Sequence, residues 1–422
     1  MEFALDTGNT AWMIVATALV LLMTPALAFF YGGMVRAKSV LNMMMMSFIS
    51  IATIAVVWVV YGYGLAFGSD TLGGLVGSPS GLVGLNGFAD GDGLGAGTGV
   101  PALVMAAFQA TFAIITVALI SGSVADRMKF SAWTIFTVLW VTLVYTPIAH
   151  GVWGGGLLGS FEPSTVIDFA GGTVVHINAG IAGLALALLL GTRKGFGKEP
   201  FKPHNLPFVM LGAALLWFGW FGFNAGSEFG ADATAGRAFL NTTVAPAIAI
   251  LGWLLVEKIR DGHATSLGAA SGVVAGLVAI TPAAAAVDTW GALVIGFLAG
   301  VVCAMAVGLK YKFGYDDSLD VVGVHLVGGV LGTVLIGFFA NLDEGTTWAP
   351  DGALNGLFYG GGWTQLGSQI IGALVAIVYS FVLTLIIGWA LKATIGLRVS
   401  EDVEVQGIDL AEHGETAYEE AK

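Results

Sequence analysis

Charge is scarce in this chain. Its 422 residues include 16 Lys and Arg and 28 Asp and Glu, only 10% in all, too few for the surface of a water-soluble fold of that size. Cysteine is scarcer still. Cys303 is alone, so no disulfide forms within the chain, and its apolar run makes it a small core residue. No lysine lies inside an apolar stretch, which argues against a retinal-type Schiff base. No Cys, His, Asp and Glu cluster at ligand spacing, so neither a metal nor a cofactor is expected, and no catalytic constellation marks an enzyme. Basic runs are missing and the net charge is −12, which excludes nucleic acid as a partner.

What fills the chain is apolar sequence. The mean hydropathy is +0.86, and stretches of about 20 residues, the length that crosses a bilayer, recur almost throughout. Short alternating segments, the mark of a membrane β-barrel, are missing. An all-α integral membrane protein follows. Eleven spans are expected at 11–33, 42–66, 101–124, 131–150, 167–190, 206–227, 239–257, 265–284, 289–309, 320–340 and 365–391. The 63 glycines allow such helices to approach closely. Ala26-Leu27-Ala28 resembles a signal cleavage site, but Glu2 and Asp6 give the preceding segment the wrong charge, so the first span is expected to be retained.

Every Lys and Arg except Arg237 falls after an odd-numbered span. By the positive-inside rule the N-terminus is outside and the C-terminus inside. The membrane domain is expected to occupy residues 1–395. Residues 396–422, with eight Asp and Glu after Arg398 against Lys422, form an acidic cytoplasmic tail, read as a solvated segment, or else a docking segment, rather than part of the bundle.

Two segments repeat one another. Asp168 to His176 and Asp317 to His325 each place a histidine eight residues after an aspartate, near the start of an apolar run. Ionisable residues inside a membrane are costly and are functional candidates by default. On a continuous helix each histidine lies about 12 Å from its aspartate. Spans five and ten run in opposite directions, so both histidines reach the midplane. Two inverted five-helix repeats, about 11–190 and 206–340, with helix eleven added, would make one central site. Two neutral imidazoles there can relay a proton, ligate a metal or haem, or line a pore. A haem protein usually carries two stacked histidines per helix, whereas each helix here has one. Asp168 and Asp317, with Asp320, fit capping of helix starts.

Aromatics gather at the outer ends of the same spans: Phe108 and Phe112 in span three, Trp153 after span four, and Trp217 to Ser227 at the end of span six. Beside a central site they read as a cation–π vestibule above a hydrophobic gate.

The segments FFYGGMVR, DFAGGTVVHINAG, WFGWFGFNAGS, DDSLDVVGVH and GIDLAEHGETAY resemble ammonium transporters of the Amt/Mep/Rh family, in order and over essentially the whole chain. Trp153 and Ser227 resemble the Amt branch. The resemblance implies a multi-pass plasma-membrane protein that moves ammonium or ammonia. It implies an outer recruitment site of Trp153, Phe112 and Ser227, with Phe108 beside it, and a gate of Phe112 and Phe223. His176 and His325 would line a hydrophobic pore and relay protons, and Asp168 and Asp317 would shape its ends. It further implies a homotrimer and a PII-type regulatory protein at the cytoplasmic face. The alternative is an ammonium sensor that signals through its tail.

Overall fold

The structure is a computed structural model that describes residues 4–88, 98–343, 345 and 347–418. Among the described residues there are 11 helices long and apolar enough to cross a membrane. They are α1 (Thr7–Met34), α2 (Ala37–Phe67), α3 (Ala102–Val124), α4 (Phe130–Trp153), α5 (Gly172–Leu190) and α6 (Leu206–Glu228). The rest are α7 (Ala233–Arg260), α8 (Ser266–Ala283), α9 (Thr289–Phe313), α10 (Val322–Phe339) and α11 (Thr364–Thr394). The expected boundaries hold to within six residues; α2 and α7 start earlier than expected, at 37 and 233 rather than 42 and 239, and α5 starts later.

The helices pack as two inverted halves. Within α1–α5, α1 touches α2 and α3, α2 touches α3 and α4, and α3 touches α5. Within α6–α10 the counterparts recur: α6 with α7 and α8, α7 with α8 and α9, α8 with α10. The halves meet through α1 against α6 and α5 against α10, and α11 lies across α4, α5 and α10. Glycine permits the closest of these approaches. A Cβ on Gly180 of α5 would come within 2.3 Å of the Leu326 amide nitrogen of α10, so this crossing admits no side chain there.

Both α5 and α10 begin inside the protein. Each is preceded by non-helical chain whose backbone is satisfied by the end of a helix from the other half. Phe169 N–H donates to the Pro282 carbonyl at 3.1 Å, and Leu319 N–H donates to the Gly122 carbonyl at 3.0 Å. Irregular backbone survives at membrane depth only where protein satisfies it in this way. The continuous 12 Å helix expected between aspartate and histidine is therefore corrected. Helix α5 starts at Gly172 rather than 167, because Gly171 turns through φ 118° and Asp168 takes up the free amides beyond it.

The end of the bundle that carries most of the basic residues is tied by buried ion pairs. Arg193 bonds to Asp316 at 2.8 Å and to Asp126 at 3.1 Å. Burial works against ionisation of Asp316, but Arg193 and Arg127 outweigh it and hold the carboxyl below its ordinary value. At the opposite end the 68–100 loop forms a short antiparallel pair, β1 (Asp70–Thr71) and β2 (Val76–Gly77), and residues 89–97 of it lie outside the described residues.

The tail is not simply solvated. It forms two short helices, α12 (Glu401–Gln406) and α13 (Ile408–His413), and Glu404, Ile408 and Asp409 are buried. Its acids are N-caps for the bundle. Asp409 accepts from Leu41 N–H at 3.0 Å and Asn42 N–H at 2.8 Å at the start of α2, and Glu412 accepts from Phe130 N–H at 3.0 Å at the start of α4. Glu404 accepts from Lys194 N–H at 2.7 Å and pairs with Arg398 at 2.6 Å. Replacing Asp409 by Ala removes two buried acceptors, at a cost of about 1–3 kcal/mol. The tail of the Asp409→Ala variant should be cut faster than wild type in limited proteolysis while the membrane helices stay intact. Equal cutting rates would mean that the tail is held by other contacts.

Candidate functional site

One axis runs between the two halves and carries three features in sequence. The first is a vestibule of about 280 Å³ at the end away from the basic residues, lined by Phe112, Trp153, Asp168, Ser227, Glu228 and Trp348 among others. Trp153 is the last residue of α4, and its indole N–H donates to the Asp168 carbonyl at 2.8 Å, which fixes the ring. Phe112 meets it edge to face, with centroids 5.9 Å apart. Ser227 donates its hydroxyl to the Phe223 carbonyl at 2.8 Å, leaving its oxygen lone pairs to accept.

The second feature is the floor. Phe112 and Phe223 stack at 4.1 Å with 17° between planes. The spacing follows from two helices that converge: Phe112 lies mid-way along α3 and Phe223 in the last turn of α6.

The third is the lumen below, walled by Leu27, Ile115, Val175, Leu216, Trp220 and the two histidines. Its cavity is about 10 Å³, close to the smallest that holds one water. His176 and His325 face each other there with Nδ1 atoms 3.3 Å apart and rings inclined at 28°. Trp220 stacks on the far side of His176 at 5.5 Å, and its N–H donates to the Thr281 hydroxyl at 2.8 Å. The two nitrogens share one hydrogen bond only if one ring donates and the other accepts.

Asp168 organises the junction of vestibule and α5. It is buried, and its two oxygens accept from the N–H groups of Gly171, Gly172, Thr173 and Val174 at 2.9, 2.5, 2.9 and 3.2 Å, and from the Thr173 hydroxyl. Asp317 plays a thinner version of this part at the other end, accepting from Val322 N–H at 2.7 Å and the Ser123 hydroxyl at 2.9 Å. Asp320, expected to cap α10 as well, instead pairs with Lys310 at 2.6 Å.

The amino-acid sequence and the overall fold both find their match in known proteins. The ammonium transporter family model matches residues 11–418. The chain belongs to the ammonium transporter family. An ammonium transporter of Mycobacterium tuberculosis (strain ATCC 25618 / H37Rv) is 56% identical, the match covering 98% of this chain and 91% of the relative. Among solved structures, that of Candida albicans Mep2 superposes with a TM-score of 0.85 at 33% identity, over 98% of this chain and 91% of that one. A structure named Sensor Amt Protein gives 0.85 at 29% identity, over 96% and 98%. As a family member the chain is a multi-pass membrane transporter of ammonium, not an enzyme. Among the described residues no group of three or more His, Cys, Asp and Glu could hold a metal.

In this ammonium transporter the expected residues Trp153, Phe112, Ser227, Phe223, His176, His325 and Asp168 all meet on one axis. Phe108 does not line it. The residue is fully buried and packs between Phe112, at 4.9 Å, and Phe229, at 5.7 Å, so it supports the vestibule wall from behind. Asp317 lies at the opposite end of the bundle. Sequence reasoning missed Trp220 as a partner of His176. The signal was present, since Trp220 precedes Phe223 by three positions and so shares its helix face. Gln109, Glu228 and Trp348, all at the vestibule, were missed as well.

Proposed function

We propose that ammonium is captured in the vestibule by the faces of Trp153 and Phe112 and the Ser227 hydroxyl, loses its proton at the Phe112–Phe223 stack, and crosses the lumen as ammonia. The imidazoles of His176 and His325 carry the proton separately. The observation that carries this reading is the step from a roomy vestibule of about 280 Å³, with Asp168, Ser227 and Glu228 among its aromatic walls, to an apolar lumen of about 10 Å³ across one pair of stacked rings. A bare cation loses its hydration on that step, at a cost of several kcal/mol or more. Ammonium escapes the cost by giving up a proton to an acceptor; potassium has none to give. Discrimination thus rests on chemistry rather than on size.

The N-terminus lies outside and the tail inside, because the basic residues collect at the end opposite the vestibule. The working unit is a homotrimer with one pore in each subunit, and the tail surface at the basic end is where a PII-type regulator would bind. Sensing is the second reading. The likeness to the structure named Sensor Amt Protein and the docked tail, which touches α2 and α4, support a signal passing through the same contacts.

The vestibule has a direct test. Trp153→Leu removes the best π face, an attraction of about 0.5–2 kcal/mol. The half-saturation concentration for ammonium current should rise by roughly two- to thirtyfold in folded oligomers. An unchanged value would assign Trp153 to a packing role.

A further inference from the structure

Just past Ser227 the chain makes a tight turn that capture by aromatic faces leaves unused. Gly226–Glu228 form one 3-10 turn, and Phe229 follows in the left-handed conformation, φ 59°. Asp232 then caps α7 by accepting from Ala235 N–H at 2.9 Å. Glu228 lines the vestibule beside Ser227 and Phe229. Its Oε2 is shut off from solvent and has no hydrogen-bond partner. Asp232, the charged neighbour of this carboxyl, is itself an acid and stands within hydrogen-bond reach of it, so the two carboxyl groups can share a proton. Two adjacent carboxyl groups are stable together when a proton or another cation sits with them. A second acceptor lines the same cavity: Gln109 is only 4% exposed, stands one turn before Phe112 on α3, and its amide oxygen also has no partner.

Buried acceptors are normally matched by donors. Two unmatched acceptors on residues that wall a cavity together with Trp153, Phe112, Phe229 and Trp348 call for a small cation with several N–H groups, reached by a rotation of these side chains. We propose that Glu228 and Gln109 are an acceptor arm of the vestibule that binds ammonium by N–H···O bonds and also holds potassium, as a bound competitor that does not permeate. The proposal rests on the transport reading above and adds to it a residue that sets occupancy rather than selectivity. Selectivity is decided lower down, at the stacked rings, where potassium has no proton to lose.

The experiment measures ammonium-evoked current in proteoliposomes with and without added potassium, for wild type, Glu228→Gln, Glu228→Asp and Gln109→Met. Glu228→Gln keeps the size and removes the charge. Its half-saturation concentration for ammonium should rise about three- to tenfold, the effect of one nearby charge in a partly hydrated site. Inhibition by potassium should weaken in parallel, while potassium alone still evokes little current. Glu228→Asp should fall between the two, and it carries the test if the Gln variant is lost during purification. Gln109→Met should raise the half-saturation concentration and weaken inhibition by potassium in the same direction as Glu228→Gln, by a smaller factor, since it removes an oxygen ligand but no charge. Wild-type affinity and wild-type inhibition in both Glu228 variants would overturn the proposal and leave the transport reading standing. A wild type without ammonium current would overturn both.

Discussion

His176→Ala is expected to abolish ammonium-evoked current, by on the order of 100-fold or more, the usual worth of a positioned proton-transfer group. Three features of the lumen lead to this. His176 and His325 are the titratable side chains on its wall. Their Nδ1 atoms, 3.3 Å apart, make a polar link across it. Alanine also leaves an apolar gap against Trp220, which stacks on the ring at 5.5 Å. Two imidazolium ions side by side in such surroundings are disfavoured, so the neutral pair takes up at most one further proton, which is what a relay needs. His325→Ala should behave alike. His176→Glu restores an ionisable group, and its carboxylate oxygens offer a cation in the lumen what it lost on leaving water. Current should return in that variant, with potassium now contributing to it. Wild-type, ammonium-selective current in His176→Ala would reduce the twin histidines to lining.

Asp168→Ala should be the most damaging single change to the fold at the site. The substitution leaves the amides of Gly171, Gly172, Thr173 and Val174 without their acceptor in a place that water reaches poorly. Each buried donor left alone costs about 1–3 kcal/mol, so the total is on the order of 5 kcal/mol. It also frees the segment whose carbonyl holds the Trp153 indole. The expected outcome is a large fall in thermal stability of the detergent-solubilised protein, together with lost transport. Asp168→Asn should fall between, since its amide oxygen can still serve Gly171 and Gly172 but its NH₂ cannot accept from Thr173 and Val174. An alanine variant as stable as wild type would show that α5 caps itself in another way.

These two aspartates and two histidines were legible in the sequence because the repeat is short, exact in spacing and surrounded by apolar residues. The span count was legible for the same reason: bilayer thickness fixes span length, and the alternation of basic residues checks the parity. What was not legible is where helix gives way to other backbone. Nothing in the hydropathy of residues 167–171 separates them from α5; the break comes from Asp168 capturing amides and from Gly171 turning, which are tertiary and local at once. The tail misled for a related reason. Eight acids against one lysine over residues 401–422 have the charge balance of a solvated segment, yet Asp409 and Glu412 find the free N–H groups of α2 and α4, partners that no linear pattern reveals.

Charge movement across a solid-supported membrane, on proteoliposomes of the wild-type protein, probes the central claim that a proton is stripped before the apolar lumen is crossed. Ammonium should give a saturable current, and potassium at the same concentration should give little or none. Equal currents for the two ions would contradict the account, because a lumen that passes bare potassium selects by size and needs no deprotonation.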